Sequence, residues 1–366
     1  MFLEELRVLN FRNLTQQKIS FSEGINVFYG DNAQGKTNFL EAIYLLSTSK
    51  SFRTRADHEL ITWGQESSKV VGKASFLEIE LLITQNKKSL LVNKQEKRLT
   101  DLIGSFLTVL FTPADIEIVS GSPDKRRRFL DQLGCSLSRD YLVNLVKISR
   151  VLRSRNQLLW ELKQGRNVDL SVWDLQLAKL ASLIWRFRFE LMLALQESLQ
   201  KLSKKLTGGE LKIIYVTQAK GESDKKIEEN FLEELQLLRN EEIQKSQTQI
   251  GPQRDDFKIL LEVEEGAKVV SKDLNTYGSR GEQRAASLAL KLSEIEIIEH
   301  EKNTRPTLLL DDVLGELDQN HQKLLLAQLK KGQSFLTTTS IESFGQNLIG
   351  KFKKLKVEKG IVTIAD

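Results

Sequence analysis

Gly30-Asp31-Asn32-Ala33-Gln34-Gly35-Lys36-Thr37 is the stretch that decides how this 366-residue chain folds. It follows a short apolar run, Ile25-Asn26-Val27-Phe28-Tyr29, and opens a segment, Lys36 to Ser47, in which Phe39, Leu40, Ile43, Tyr44 and Leu46 are apolar. Strand, glycine loop, helix is the setting in which Gly-x-x-x-x-Gly-Lys-Thr binds phosphate. The glycines let successive backbone N–H groups point at phosphate oxygens, and the helix N-terminus adds a favourable dipole. Lys36 brings positive charge to the β- and γ-phosphates, and Thr37 offers a hydroxyl to Mg2+. The expected nucleotide contacts run through Gly30, Asp31, Asn32, Ala33, Gln34, Gly35, Lys36, Thr37 and Asn38.

Later stretches narrow the reading. Leu308-Leu309-Leu310-Asp311-Asp312 reads as a buried strand ending in two carboxylates, with Glu316-Leu317-Asp318 close behind. The strand end sets Asp311 beside the glycine loop, where it holds Mg2+ through water, and makes Asp312 the candidate for polarising an attacking water. Upstream, Ser279-Arg280-Gly281-Glu282-Gln283 opens a helix. A serine hydroxyl and a glycine at a helix N-terminus suit a γ-phosphate arriving from another subunit. The same residues also spell an ordinary serine cap with an acid in the first turn.

Taken in order, these motifs describe a P-loop ATPase head of the ABC type, in which two copies close on two ATP molecules. Ser279, Gly281, Gln283 and Asp318 then join the expected nucleotide contacts. Lys36, Asp311 and Asp312 form the expected catalytic set, and Thr37 and Asp311 the expected metal ligands. Where Asp312 stands, that architecture normally carries glutamate. An aspartate, one methylene shorter, argues for slow hydrolysis.

Bulk composition excludes several classes. A hydrophobic content of 40% with 28% charged residues fits a soluble globular chain. No apolar run approaches the roughly 18 residues that span a bilayer; the nearest, Leu40 to Leu46, is interrupted by Glu41. Met1-Phe2-Leu3-Glu4-Glu5 lacks the basic start and apolar stretch of a signal peptide. The single cysteine, Cys135, excludes an internal disulfide, and with 3 histidines there are too few ligands for a typical structural zinc site. The expected metal is a hard cation. Net charge of +5 and a pI near 9.0 permit nucleic-acid binding without demanding it. Placement matters more. Lys125-Arg126-Arg127-Arg128 is the densest basic block, and Lys351, Lys353, Lys354 and Lys356 form another.

The pattern along the chain predicts strands at Leu3 to Phe11 and Ser105 to Phe111, and β-type runs from Lys69 to Arg98 with a hairpin at Gln85 to Lys88. Apolar residues at Tyr141, Leu145, Ile148 and Leu152, and from Trp173 to Leu191, predict two helices packed as a hairpin around Gln164 to Asn167. Glu210 to Val216 and Phe257 to Val263 read as strands, and Ser223 to Lys245 as one charged helix. Glu282 to His300 reads as a helix, and Thr307 to Leu310 and Ser334 to Thr339 as strands. Lys356 to Ile364 reads as a hairpin turning at Lys359-Gly360. The expected fold is α/β: an ABC-type head (1–120 plus 300–366) with an antiparallel β subdomain, and an inserted helical lobe (121–299) carrying the Ser279 motif.

The chain resembles the RecF family of bacterial recombination mediators, relatives of the SMC ATPases. The resemblance rests on Gly24 to Val27 leading into the glycine loop, on Phe111-Thr112-Pro113-Ala114-Asp115, and on Gly121 to Asp131. Gly251-Pro252-Gln253-Arg254-Asp255-Asp256, Tyr277 to Gln283, and Asp311 to Asp318 complete it. The family usually has histidine where Gln253 and Phe52 stand. No switch histidine follows Thr337-Thr338-Thr339, and no clear glutamine for Mg2+ is visible. The resemblance implies a cytoplasmic repair protein that binds double-stranded DNA and single-strand/double-strand junctions as an ATP-dependent homodimer. It further implies partnership with RecR and RecO in loading RecA, and a weak ATPase activity that resets the clamp.

Other readings share fewer features. A P-loop kinase has no use for Ser279 to Gln283 or Asp318. A transporter subunit needs a membrane docking surface. A long SMC-type organiser needs a far longer arm. The Lys125 to Arg128 block admits two roles: contact with DNA phosphate, or an internal ion pair with the acid-rich segment Glu228 to Glu242.

Overall fold

Residues 2–266, 268–341 and 352–365 are described by the computed structural model of the chain. Lys351 lies outside them. The chain divides into two units, Met1–Asp115 with Glu294–Asp366, and Ile116–Ser293.

The first unit begins with β1 (Glu5–Leu9), β2 (Gln17–Ser20) and β3 (Ile25–Tyr29), followed by α1 (Lys36–Thr48). From Phe39 to Ser47 every α1 residue is buried. A helix apolar on all sides belongs inside a domain rather than on its surface. β4 (Ser67–Ala74), β5 (Leu77–Thr84), β6 (Lys88–Val92) and β7 (Gln95–Lys97) make a meander, and β8 (Thr108–Phe111) ends this half. β8 is shorter than its apolar run, because Ser105 is held in a turn by the Leu102 carbonyl. The antiparallel sheet runs β2-β1-β4-β5-β6-β7. All three residues of its last strand are exposed, and Glu96 and Lys97 there discourage edge pairing.

The second unit contains α2 (Glu117–Ser120), α3 (Pro123–Leu137), α4 (Arg139–Lys163) and α5 (Ser171–Thr207). α5, with 37 residues, is about 55 Å long. β9 (Glu210–Val216), α6 (Asp224–Leu237), α7 (Arg239–Lys245), β10 (Asp256–Glu265), β11 (Lys268–Asp273) and α8 (Leu274–Tyr277) follow. α9 (Arg280–Lys302) belongs to this unit as far as Ser293. The α4–α5 hairpin does not pack only on itself. Ile227, Phe231 and Leu235 of α6 share its core with Tyr141, Ile148, Leu177, Ile184 and Trp185.

The single helix expected over Ser223 to Lys245 is broken at Leu238. Buried charge is the reason. Arg155, fully buried on α4, pairs with Asp174 at 2.7 Å and Glu242 at 2.6 Å, and Arg239 also pairs with Asp174. A buried cation left without partners costs several kcal/mol, so the break that turns Arg239 and Glu242 inward outweighs helix continuity. Asp255 plays a similar part in the Gly251–Asp256 stretch. It accepts from Trp185 Nε1 at 2.9 Å, Arg188 at 2.8 Å and Thr217 at 2.9 Å.

The remaining strands return to the first unit: β12 (Thr307–Leu310), then α10 (Gln319–Leu329), β13 (Ser334–Thr338), β14 (Phe352–Glu358) and β15 (Ile361–Ala365). Their sheet has the order β15-β14-β3-β13-β12-β8. β14, β3, β13, β12 and β8 are parallel neighbours, and only β14–β15 is an antiparallel hairpin. Parallel strands are covered on both faces and therefore read as continuous apolar runs, as Thr307–Leu310 does. Phe28, Phe39 and Phe335 pack together over β3, α1 and β13.

Candidate nucleotide site

β3 delivers the chain to the glycine loop, and β13 sets β12 one strand away. The C-terminal ends of these parallel strands lie on one side of the sheet, where α/β proteins bind ligands. Ala33 (φ 63°) and Gly35 (φ 108°) are left-handed, which folds the loop back before α1. Lys36 is 4% exposed, and its ammonium donates to the carbonyls of Gly30 and Asp31, each at 2.8 Å. Among the described residues no carboxylate pairs with it. A buried cation held only by carbonyl dipoles carries unneutralised positive charge, which an anion in the loop would neutralise.

Asp311 follows β12. Its Oδ1 accepts from Thr37 Oγ1 at 2.7 Å and from Thr337 Oγ1 at 2.9 Å. Thr337 also accepts from the Asp312 amide at 2.9 Å. Burial pushes the Asp311 carboxyl above the usual aspartate range. The Thr37 and Thr337 hydroxyls and Arg53 oppose that rise, and Asp312 adds to it. Thr37 and Asp311 thus present two hard oxygens side by side, a set that fits Mg2+. Among the described residues no group of three or more His, Cys, Asp or Glu forms a cage, so a bound Mg2+ would draw its remaining ligands from phosphate and water oxygens. Asp312 is exposed and left-handed (φ 50°), a conformation aspartate tolerates but rarely adopts.

Asp318 caps α10, accepting from the amides of Asn320 at 2.9 Å and His321 at 3.0 Å. Those bonds, the His321 amide first, lower its pKa although burial opposes them. In the second unit, the start of α9 forms a full capping box. The Ser279 amide donates to Glu282 Oε2 at 2.8 Å, and the Glu282 amide donates to Ser279 Oγ at 3.3 Å. Lys272 holds the other Glu282 oxygen at 2.7 Å and is the first cause of that acid's lowered pKa. Ser279, Arg280 and Gly281 are exposed. Gln283, an expected nucleotide contact, has its side chain turned inward. It is 7% exposed and donates to the Leu274 carbonyl at 2.9 Å.

The basic block of α3 does not act as a unit. Arg126 is 6% exposed and grips Asp256 with two bonds, 2.6 and 2.9 Å, while a third goes to the Gly121 carbonyl at 2.7 Å. Its partner is Asp256 rather than the Glu228 to Glu242 segment, because α3 and β10 are packed together. Arg127 donates to the Asp255 carbonyl at 2.8 Å. Lys125 pairs with Glu117. Arg128 is exposed and makes no ion pair among the described residues. In the other block, Lys353 bonds the Ser20 carbonyl and Lys356 pairs with Glu358.

Several site residues carry no motif of their own. Thr337 is placed by the pairing of β12 with β13. Glu41, the charge that interrupts the apolar run of α1, is fully buried and takes two bonds from Arg12 at 2.9 and 3.0 Å and one from Ser51 at 2.5 Å. Arg53 donates to Asn38 at 2.7 Å, and Asn38 to Asn13 at 2.7 Å. A charged residue inside an otherwise apolar helix was the available signal for Glu41.

A glycine loop, a buried lysine and a strand-end aspartate bonded to the loop threonine define the head of a P-loop ATPase of the SMC and ABC type. The sequence matches the RecF/RecN/SMC N-terminal domain family over residues 2–361. It is 38% identical over 375 residues to the DNA replication and repair protein RecF of Bacillus cytotoxicus, covering 99% of this chain and 98% of that relative. RecF of Bacillus cereus is also 38% identical, with the same coverage. A solved structure described as the recombination mediator protein RecF-ATP in the RecFOR pathway is similar at 36% identity and a TM-score of 0.91, covering 100% of this chain and 98% of that one. An SMC head bound to the C-winged helix domain of ScpA shares the fold at 15% identity and a TM-score of 0.57. The chain belongs to the RecF family of DNA replication and repair proteins.

Proposed function

We propose that this chain is an ATP-switched DNA-binding protein of recombinational repair. The observation that carries the reading is the pairing of Thr37 with Asp311 beside a buried lysine that has no carboxylate partner among the described residues. Lys36 binds the β- and γ-phosphates, and the loop amides orient them. Thr37 and Asp311 would hold Mg2+, which when bound would neutralise charge developing on the phosphate oxygens. Asp312 accepts a proton from, or orients, the attacking water. Its short side chain makes hydrolysis slow.

Ser279 and Gly281 of a second copy close over the γ-phosphate, with Asp318 linking the two sites, so that ATP holds a head-to-tail homodimer. The dimer clamps double-stranded DNA at single-strand/double-strand junctions. RecR and RecO, with RecA loading, are its partners in the cytoplasm. The RecF-ATP structure and the RecFOR pathway named with it support this reading. Among the described residues no helix is long and apolar enough to cross a membrane.

Sedimentation with and without Mg2+-ATP tests the proposal. A monomer that dimerises with ATP, and then binds duplex DNA with a salt-dependent affinity, is the expected result. A chain that binds ATP but stays monomeric with DNA present excludes the clamp and returns the site to a single-head enzyme such as a kinase.

A further inference from the structure

The turn of the C-terminal hairpin lies against the glycine loop. The Gly360 amide donates to the Gln34 carbonyl at 2.8 Å, and the Lys359 amide donates to Gln34 Oε1 at 2.6 Å. Asn13 Nδ2 reaches the same Gln34 carbonyl at 3.4 Å. The turn is itself fastened. Gln17 on β2 donates to the Gly360 carbonyl and accepts from the Val362 amide at 2.7 Å. Contact extends to the start of the loop, where a Cβ on Gly30 would sit 2.4 Å from the Val357 carbonyl oxygen. Gly360 is left-handed (φ 78°), and a Cβ there would lie 2.2 Å from the Asn13 carbonyl oxygen. All these residues belong to the first unit.

The geometry points to the Lys359-Gly360 turn and Gln17 as positioning residues for nucleotide: they brace the glycine loop through Gln34. Gln34 stands between the left-handed Ala33 and Gly35. A left-handed alanine is unfavourable unless its surroundings hold it. A trans peptide is planar, with its C=O and N–H pointing in opposite directions. Anchoring the Gln34 carbonyl on Gly360 therefore fixes the Gly35 N–H pointing away from the hairpin. That is the orientation in which loop amides gather on one side to bind an anion. The Gln34 side chain contributes through its bond to the hairpin rather than through contact with phosphate.

The inference rests on the proposed ATP site, so the test must separate the two. ATP affinity is measured by fluorescence titration with an N-methylanthraniloyl-ATP probe on the full chain, alongside melting temperature. Parent protein and Lys36→Met test the site; failure of the parent to bind overturns the site reading itself. With the parent binding, Gln34→Met, which keeps length and loses only the side-chain acceptor for the Lys359 amide, raises Kd about tenfold, or about 1.4 kcal/mol. Gln17→Ala raises it several-fold at a distance from the phosphates. Because both act on one brace, the double variant exceeds the larger single effect by no more than about twofold. Lowered melting temperatures with unchanged Kd would assign the hairpin to stability alone and overturn the inference, as would fully additive effects. Gln17→Met, which keeps the side chain's length and loses both of its bonds to the turn, replaces Gln17→Ala should that variant fail to fold, and an unchanged Kd there overturns the inference equally.

Discussion

Replacing Arg126 with alanine separates two roles for a basic block that sequence alone leaves open. The guanidinium makes two bonds to Asp256 and one to the Gly121 carbonyl, and the side chain is 7% exposed against 23% for its partner. Removing one partner of a buried pair typically costs about 3–5 kcal/mol, because the other charge is left unpaired. The lower end applies here, since Asp256 keeps the Phe257 amide at 2.8 Å and some water. At about 2–4 °C per kcal/mol for a unit of this size, the melting temperature should fall by roughly 6–12 °C. Binding to duplex DNA should keep its salt slope. Arg128→Ala should do the reverse, leaving the melting temperature unchanged and flattening the slope by about 0.9 if that exposed side chain meets one phosphate. Calorimetry and salt-dependent DNA titration of both variants check the pair. An Arg126→Ala protein that melts like the parent while losing salt dependence would refute the structural assignment.

Lys36→Met should abolish ATP-driven dimerisation, measured by light scattering, because the buried charge proposed to meet the phosphates is gone. Asp312→Asn should bind ATP normally and lengthen dimer lifetime while slowing hydrolysis; an unchanged phosphate-release rate would remove Asp312 from the chemistry. Ser279→Arg should bind ATP as a monomer yet stay monomeric in the ultracentrifuge, since on the proposed reading the new side chain fills the space of a partner's γ-phosphate. For Asp311 the sign follows from burial. Its pKa is raised in the fold, so the native state holds the proton more tightly than the unfolded chain. That contribution to stability is present below the unfolded value and lost as pH rises through the raised folded value. Urea unfolding across acid pH should show the parent losing stability relative to Asp311→Asn as pH rises, and parallel profiles would contradict it.

What the sequence made legible was local. The glycine loop, its strand and helix, and the hairpin turn at Lys359-Gly360 each depend on neighbours a few residues away, and so does the Ser279–Glu282 box. Contacts set by strand pairing were not legible. Thr337 reaches Asp311 because Leu310 pairs with Leu336, and nothing in Thr337-Thr338-Thr339 alone announces a second hydroxyl on that carboxylate. Arg126 meets Asp256 across 130 residues of chain. The break at Leu238 was hidden for a related reason. Helical spacing of Ile227, Phe231 and Leu235 is intact up to it, and only the buried Arg155 on α4 explains why the helix stops there.

The cap at Ser279 shows why a structural and a functional reading of one residue need not compete. A hydroxyl has one proton to donate and two lone pairs to accept. In the capping box Ser279 Oγ only accepts, from the Glu282 amide, and Glu282 is in turn fixed by Lys272. The cap therefore spends a lone pair and holds the oxygen in place. Its proton is committed to no bond among the described residues, at an exposed helix N-terminus whose dipole favours an anion. A serine positioned by its own helix, with its donor committed to no bond among the described residues, suits the proposed contact with a phosphate oxygen of a second copy. Threonine would keep both uses, while Ser279→Ala would lose both. Ser279→Thr should therefore retain ATP-driven dimers that Ser279→Ala weakens.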